Sequence, residues 1–266
     1  MTSLAFPSLL GDPEAVQLVR YYTEAGHDIR FVGGCVRDSL RGVPLKDIDF
    51  ATSLPPEQGL ELLQHHKVRV IPTGIAYGTI AAHLNSGTFE ITTLRQDTQT
   101  DGRHAVVAYT HDWQQDAARR DFTVNALSVD PSGKLYDYYD GLHDLQSRTL
   151  RFIGDATARI REDYLRILRY FRFAATWDWH LTETPTLAIC QAQAPHLKDL
   201  SRERIQNELY SLVMGNGAVR ILRLMQDYHL LDPLFGFKTD FSLLEELIAC
   251  NDPDPFRRLW SCNDPL

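Results

Sequence analysis

Apolar and polar positions alternate in short runs through the first half of the chain and then shift to a spacing of three and four residues. Ile29 to Val32, Asp47 to Ala51, Val68 to Ile71, Thr79 to Leu84 and Thr88 to Leu94 carry the apolar and β-branched enrichment of strands. Asp12 to Glu24 and Pro56 to His65 read as helices, so a mixed sheet with helices on one side is the economical arrangement. Gln96 to Gln115 is polar and lacks a sustained period, which predicts a mobile loop with room for a short strand at Ala105 to Tyr109. Leu135 to Tyr139 leads to the turn Asp140-Gly141, taken as a domain boundary. Beyond it, Ile160, Tyr164, Ile167, Leu168 and Phe171 fall on one helical stripe. Arg202 to Met214, Val219 to Tyr228 and Phe241 to Ala249 repeat the pattern, with Gly215 and Gly217 as breakers, and the proline-containing stretch from Asn251 to Leu266 predicts an irregular tail. The predicted fold is an α/β (α+β) head over residues 1–142, a helical segment over 143–235 and a short further helical piece over 236–266.

Composition narrows the function classes. With 266 residues and 44% apolar content the chain can bury one substantial core and a smaller second one. Met1 to Gly11 has no basic leader pattern and no run approaches a membrane span, so a cytoplasmic protein without membrane association is expected. The four cysteines lack CxxC spacing, which predicts reduced thiols and neither a zinc site nor a disulfide framework. A formal charge of −8 argues against a general basic coat for nucleic acid, so any RNA contact must be local. Seven arginines between Gln146 and Phe173, Arg169 among them, form such a local patch, with a solvated ion-paired helix face as the bland alternative.

The chemistry concentrates near Gly33-Gly34. Asp47 and Asp49 are two apart, so on a strand both carboxylates leave on one side and Ile48 and Phe50 on the other, an arrangement suited to a hard cation such as Mg²⁺. The glycines follow an apolar strand and precede a helix start that includes Arg37, where a bare backbone lets N–H groups approach phosphates. Glu90, lone among apolar and β-branched neighbours, is a candidate third carboxylate or else an edge-strand acid facing water. Arg119-Arg120-Asp121-Phe122 precedes an expected helix start at Thr123-Val124-Asn125-Ala126, where phosphates and ribose hydroxyls can be held; Asp121 as a simple N-cap is the alternative. Asp163 and Arg166, three apart on an expected helix, would present an acceptor beside a donor. That order suits cytosine and adenine and rejects uracil and guanine, unless the two are only an intrahelical ion pair.

Together these blocks, with Asp140-Gly141 and Ser201-Arg202-Glu203-Arg204-Ile205, resemble the class II tRNA nucleotidyltransferases of the polymerase β superfamily, the CCA-adding enzymes, from about Ile29 to Leu231. The resemblance implies metal-dependent transfer of CMP and AMP from CTP and ATP to the 3′ end of tRNA without a nucleic-acid template. It implies Asp47 and Asp49 as metal ligands with Glu90 as third acid, and Gly33, Gly34, Arg37, Arg120, Asp121, Asn125, Asp163, Arg166 and Arg169 as nucleotide-binding residues. It also implies Arg202 and Arg204 as RNA contacts on a neck helix, and a flexible loop that includes Arg95, Asp97, Asp101, Gly102 and Arg103. That loop, and Thr73-Gly74-Ile75-Ala76-Tyr77-Gly78-Thr79, favour full CCA addition over an A-adding enzyme or a poly(A) polymerase; a non-catalytic tRNA-binding module is the alternative from another class. Family members usually continue further into helical body and tail regions, so the expectation is that tRNA is gripped by the neck with a remnant of the body, or with a second subunit. No paired His-Asp phosphohydrolase domain is expected.

Overall fold

The computed structural model describes residues 6–100, 105–181, 185–235 and 240–263, with the backbone alone at 73, 97–100, 105–107 and 263. The chain divides into two compact units, Met1–Ser147 and Arg148–Leu266. The first unit holds strands β1 (Ile29–Val32), β2 (Asp49–Thr52), β3 (Arg69–Gly74), β4 (Thr79–His83), β5 (Thr88–Thr93), β6 (Arg95–Thr100), β7 (Ala105–Tyr109), β8 (Ser128–Val129) and β9 (Leu135–Tyr136). Its helices are α1 (Pro7–Leu10), α2 (Pro13–Glu24), α3 (Gly34–Leu40), α4 (Pro56–His65), α5 (Trp113–Ala118) and α6 (Gly141–Gln146). Among the described residues seven strands form a mixed sheet in the order β3-β4-β5-β2-β1-β8-β9, in which β2 and β5 run parallel and the other pairs antiparallel.

Local sequence explains where these elements begin. Asp12 caps α2 by accepting from the Glu14 and Ala15 amides, Pro13 supplies a preset φ at the first position, and Ala15, Leu18, Val19 and Tyr22 make the buried stripe. Phe31 of β1 and Phe50 of β2 are fully buried with ring centroids 4.8 Å apart, and Leu18, Tyr22, Leu63, Ile80 and Ile91 complete that core. This packing orients β2: with Ile48 and Phe50 inward, Asp47 and Asp49 leave from the other side.

Within the segment expected to be a mobile loop, the short strand expected at Ala105 to Tyr109 is present as β7. The segment's described residues pair as antiparallel β6 and β7 in a separate two-stranded sheet, and Trp113–Ala118 forms α5 with Asp112 as N-cap. Asp101, Gly102 and Arg103 lie outside the described residues, and Asp97 is described only as a β6 residue opposite Val107. The helix start expected directly after Asp121 is instead a single 3₁₀ turn, Thr123–Asn125. Asp47 itself precedes β2, which starts at Asp49.

The second unit is helical: α7 (Ala156–Glu162), α8 (Leu165–Trp177), α9 (Pro185–Gln193), α10 (Arg202–Val213), α11 (Ala218–Asp227), α12 (Asp232–Phe235), α13 (Ser242–Ala249) and α14 (Pro255–Trp260). α8 packs on α10 and α11, burying Ile167, Leu168, Phe171, Leu212, Ile221 and Met225. The stripe expected on one helix is split, because Asp163 adopts φ −155° and ψ 106° and separates Ile160 on α7 from Ile167 on α8. The tail expected to be irregular forms α14, capped by Asp254. Among the described residues no helix is long and apolar enough to cross a membrane.

Candidate nucleotide and metal site

Asp49 on β2 is the register partner of Glu90 on the parallel strand β5. Adjacent parallel strands point register partners to the same side, so the two acids, 41 positions apart in sequence, share a face with Asp47. The electrostatics agree. Burial first, then the Glu90 and Asp47 charges, push the Asp49 carboxyl from its ordinary 3.8 to about 6, against a lowering pull from Arg120. Asp47 also lines a cavity of about 580 Å³ with Ser8, Lys46, Ser86 and Thr88.

Among the described residues no group of three or more His, Cys, Asp or Glu side chains is placed so that it could hold a metal ion by itself. The donor chemistry nevertheless fits a hard divalent cation. Three carboxylates share one electrostatic neighbourhood, their repulsion is what a cation would relieve, and an ion such as Mg²⁺ keeps several waters instead of demanding an all-protein shell.

Beside the acids sits a network of guanidinium and amide groups. Arg37, buried on α3, makes two bonds to Asp38 at 2.9 and 2.6 Å and reaches Asn125 Oδ1 at 2.5 Å. Asn125 donates through Nδ2 to Asp121 Oδ1 at 2.9 Å, and the same oxygen accepts the Phe122 amide at 2.8 Å. The turn's N-cap is Phe122 without a side-chain bond, so Asp121 is not its cap; through Asn125 it fixes Arg37. Arg120 bonds the Asn125 carbonyl at 3.4 Å and pairs with Asp116 at 3.5 Å.

Gly33 has a different reason for being glycine from the one its position suggests. Its N–H is committed to the Leu127 carbonyl at 3.1 Å, whereas its φ of +72° and a would-be Cβ only 2.7 Å from Arg120 Nη1 exclude a side chain. Gly34 opens α3, where an added Cβ would meet only Arg37 Nη2 at 3.6 Å.

Asp116 was not among the candidates from sequence, although Asp-x-x-Arg-Arg is a readable i,i+3 and i,i+4 ion-pair pattern. It accepts Arg119 Nε at 2.8 Å and the Arg95 amide at 3.2 Å. The Arg95 guanidinium donates to the Tyr77 carbonyl. None of the four cysteines is in a disulfide, and burial pushes the Cys35 thiol up to about 11, away from the reactive thiolate form.

In the second unit, Asp163 and Arg166 do not share a helix face. Asp163 ends α7 in extended conformation, accepts the Leu165 amide at 3.1 Å and pairs through Oδ2 with Arg204 of α10 at 2.7 Å. Arg166, in the first turn of α8, bonds Glu162 at 2.6 Å and the Arg159 carbonyl at 2.7 Å. Each is held by a partner other than its presumed mate. Arg169 and Arg172 converge on Glu208 at 3.5 and 2.5 Å, so part of the arginine patch is neutralised, while Arg202 is exposed at the start of α10.

The comparisons with known proteins fit this arrangement. The family description "Poly A polymerase head domain" matches residues 29–151, and "Probable RNA and SrmB-binding site of polymerase A" matches 183–238. The zebrafish (Danio rerio) protein "CCA tRNA nucleotidyltransferase 1, mitochondrial" is 45% identical over 227 residues, covering 84% of this chain and 52% of its own length. The Bacillus stearothermophilus CCA-adding enzyme in complex with CTP superposes with a TM-score of 0.74 at 33% identity, over 82% of this chain and 52% of that one. A tRNA nucleotidyltransferase complexed with a primer tRNA and an incoming ATP analog gives 0.73 at 27% identity, over 94% and 71%. The chain spans about half the length of the curated relatives it matches first, which are 52% and 53% covered. With two family descriptions matched in order along the chain and 45% identity to a curated relative, the chain belongs to the tRNA nucleotidyltransferase/poly(A) polymerase family.

Proposed function

We propose that this chain catalyses template-independent addition of CCA to the 3′ end of tRNA from CTP and ATP. The observation that carries the reading is the register of Asp49 with Glu90, which sets two acids on one face beside Asp47 and within the field of Arg120. The names of the relatives support the substrates: one solved enzyme holds CTP, another a primer tRNA and an ATP analog. A divalent ion, taken here as Mg²⁺ on Asp47, Asp49 and Glu90, would supply Lewis-acid stabilisation of phosphate charge and lower the pKa of an attacking hydroxyl. The 3′-hydroxyl gives up its proton to solvent water as its oxygen bonds the α-phosphorus, the bond from that phosphorus to the α–β bridging oxygen breaks, and pyrophosphate leaves. Arg120 and Arg37, held by the Asp116, Asp38, Asp121 and Asn125 network, orient the triphosphate. Their positions are set before substrate arrives, which lowers the ordering cost of binding.

In this reading residues 1–142 form the catalytic head, 143–235 a neck that carries base recognition with Arg202 and Arg204 on the primer, and 236–266 part of a helical body. The segment around Arg95, Asp97, Asp101, Gly102 and Arg103 serves as the flexible element. A cytoplasmic location belongs to the same proposal. Cysteines outside any disulfide suit a reducing compartment, matched relatives are named as mitochondrial, and fractionation against compartment markers tests it.

The deciding assay offers tRNA ending at the discriminator base, at C or at CC, with labelled CTP or ATP, and resolves the products on a sequencing gel. CCA addition is expected to give C, C and A in order. A single A on the CC substrate alone, or an extended A tail, replaces this reading with an A-adding or poly(A)-polymerase activity; tRNA binding without transfer replaces it with a binding module.

Base choice gives a second expected outcome. Asp163 accepts from the exocyclic amino group of C or A, and Arg166, held by Glu162, donates to N3 or N1, each pairing contributing roughly 1–3 kcal/mol of discrimination. Asp163→Ala is expected to incorporate UTP and GTP detectably, with some loss of stability because it also breaks the Arg204 pair and the Leu165 cap. An active Asp163→Ala enzyme with parental selectivity would place base reading elsewhere.

A further inference from the structure

We propose that Asp116 is a positioning residue for nucleotide phosphates, tying the root of the β6-β7 hairpin to the Arg119-Arg120 pair. The inference rests on the functional reading above, in which Arg120 orients the triphosphate. Asp116 is 3% exposed, so it touches no substrate itself. One carboxylate oxygen takes the backbone N–H of Arg95, the first residue of β6, and the Nε of Arg119; the other faces Arg120 Nη2. Arg95 is also the register partner of Tyr109, the last residue of β7, so the carboxylate grips the hairpin where its two strands meet.

The far end of the same connection reaches the reaction site. Arg120 fills the space that a side chain at Gly33 would take, bonds the Asn125 carbonyl and acts electrostatically on Asp49. Asp116 Oδ1 thus holds the first residue of β6, and Oδ2 faces the guanidinium that reaches the turn after β1. Burial works to raise the Asp116 carboxyl, but Arg119 and Arg120 outweigh it and hold the group below its ordinary value, so it is a full charge at neutral pH. A charge-assisted pair of this kind fixes where a guanidinium points and not merely that it is present. The geometry thus gives the hairpin a route to the phosphate site that passes through no substrate-contacting residue of its own.

The test uses the full chain with Asp116→Asn, which keeps the shape, removes the charge and sets an NH₂ against one of three donors. Kinetics with CTP and ATP are measured together with inhibition by inorganic pyrophosphate and by cytidine, which lacks phosphate. KM for both nucleotides and the pyrophosphate inhibition constant are expected to rise together by about tenfold or more, kcat to fall by less, and cytidine inhibition to stay at the parental value. Parental pyrophosphate inhibition, or equal weakening for pyrophosphate and cytidine, overturns the proposal. Where circular dichroism shows Asp116→Asn unfolded, Arg119→Gln carries the test, since it removes one of the two guanidinium groups sharing the carboxylate; the same phosphate-specific weakening is expected, and unchanged pyrophosphate inhibition overturns it. A parent chain that transfers no nucleotide defeats the functional reading alone, because calorimetric pyrophosphate binding by parent and variant still decides whether Asp116 positions the arginines.

Discussion

Asp49→Asn is expected to lower kcat/KM for CTP incorporation by at least about 10³-fold, because it removes a charge on which cation binding and phosphate neutralisation depend. The same substitution is expected to stabilise the cation-free protein at pH 8. The sign follows from the raised carboxyl, at about 6 in the fold against an ordinary 3.8. Below pH 3.8 the group is neutral in both folded and unfolded chains. As pH rises through about 6 the folded state must ionise it beside Glu90 and Asp47, and that stability is lost. The gap of roughly two pH units corresponds to at most about 3 kcal/mol, and solvent around a partly exposed carboxylate reduces it to an order of 1–2 kcal/mol. Thermal melts in chelator at pH 8 and pH 4 check this: the variant should melt higher at pH 8, and the difference should shrink at pH 4. Added Mg²⁺ should stabilise the parent more than the variant. Near-parental incorporation by Asp49→Asn would remove Asp49 from the site.

The second large effect is expected at Gly33. Gly33→Ala places a methyl group 2.7 Å from Arg120 Nη1 on a residue whose φ is +72° and ψ −126°, a backbone region that side chains avoid. The strain costs about 1–3 kcal/mol of folding stability, and the displaced guanidinium is expected to raise nucleotide KM by about tenfold or more. Gly42→Ala is the control, since Gly42 has a comparable φ of +67° and its added methyl would meet nothing within 4 Å. Urea unfolding and CTP kinetics on both variants decide the matter. If the two alanines behave alike, the Gly33–Arg120 contact has no special weight.

Much of this protein is written in short-range sequence signals. α4 covers Pro56–His65 as its apolar spacing predicts, and α2 follows its Asp12 cap and Pro13 start. Alternation through Asp47, Ile48, Asp49 and Phe50 tells which side each residue faces, because the strand period is two and the phenylalanine must be buried. Such signals are legible since each depends on residues within a turn or a strand of one another. A cap, a breaker or an alternation needs no distant partner.

What the tertiary structure decided are the pairings. Alternation places Asp49 and Glu90 on faces of their own strands, but only the parallel register of β2 with β5 sets them side by side. Gln96 to Gln115 has no period of its own, and its strands exist because β6 and β7 satisfy each other's backbone groups. Asp163 and Arg166 look like an i,i+3 helical pair, yet the Asp163 backbone is extended. Glu162 takes Arg166 at i,i+4, and Arg204, 41 residues on, takes Asp163. Asp116 escaped notice for the same reason: its near arginines are readable as helical spacing, while its bond to the Arg95 amide joins residues 21 apart. The sequence by itself determined elements with strong local signals such as α2 and α4, their buried faces and the kinds of chemistry the chain carries. The fold alone decided which charges from distant segments meet, because such a charge finds its partner through register and packing between segments, and no local pattern encodes that distance.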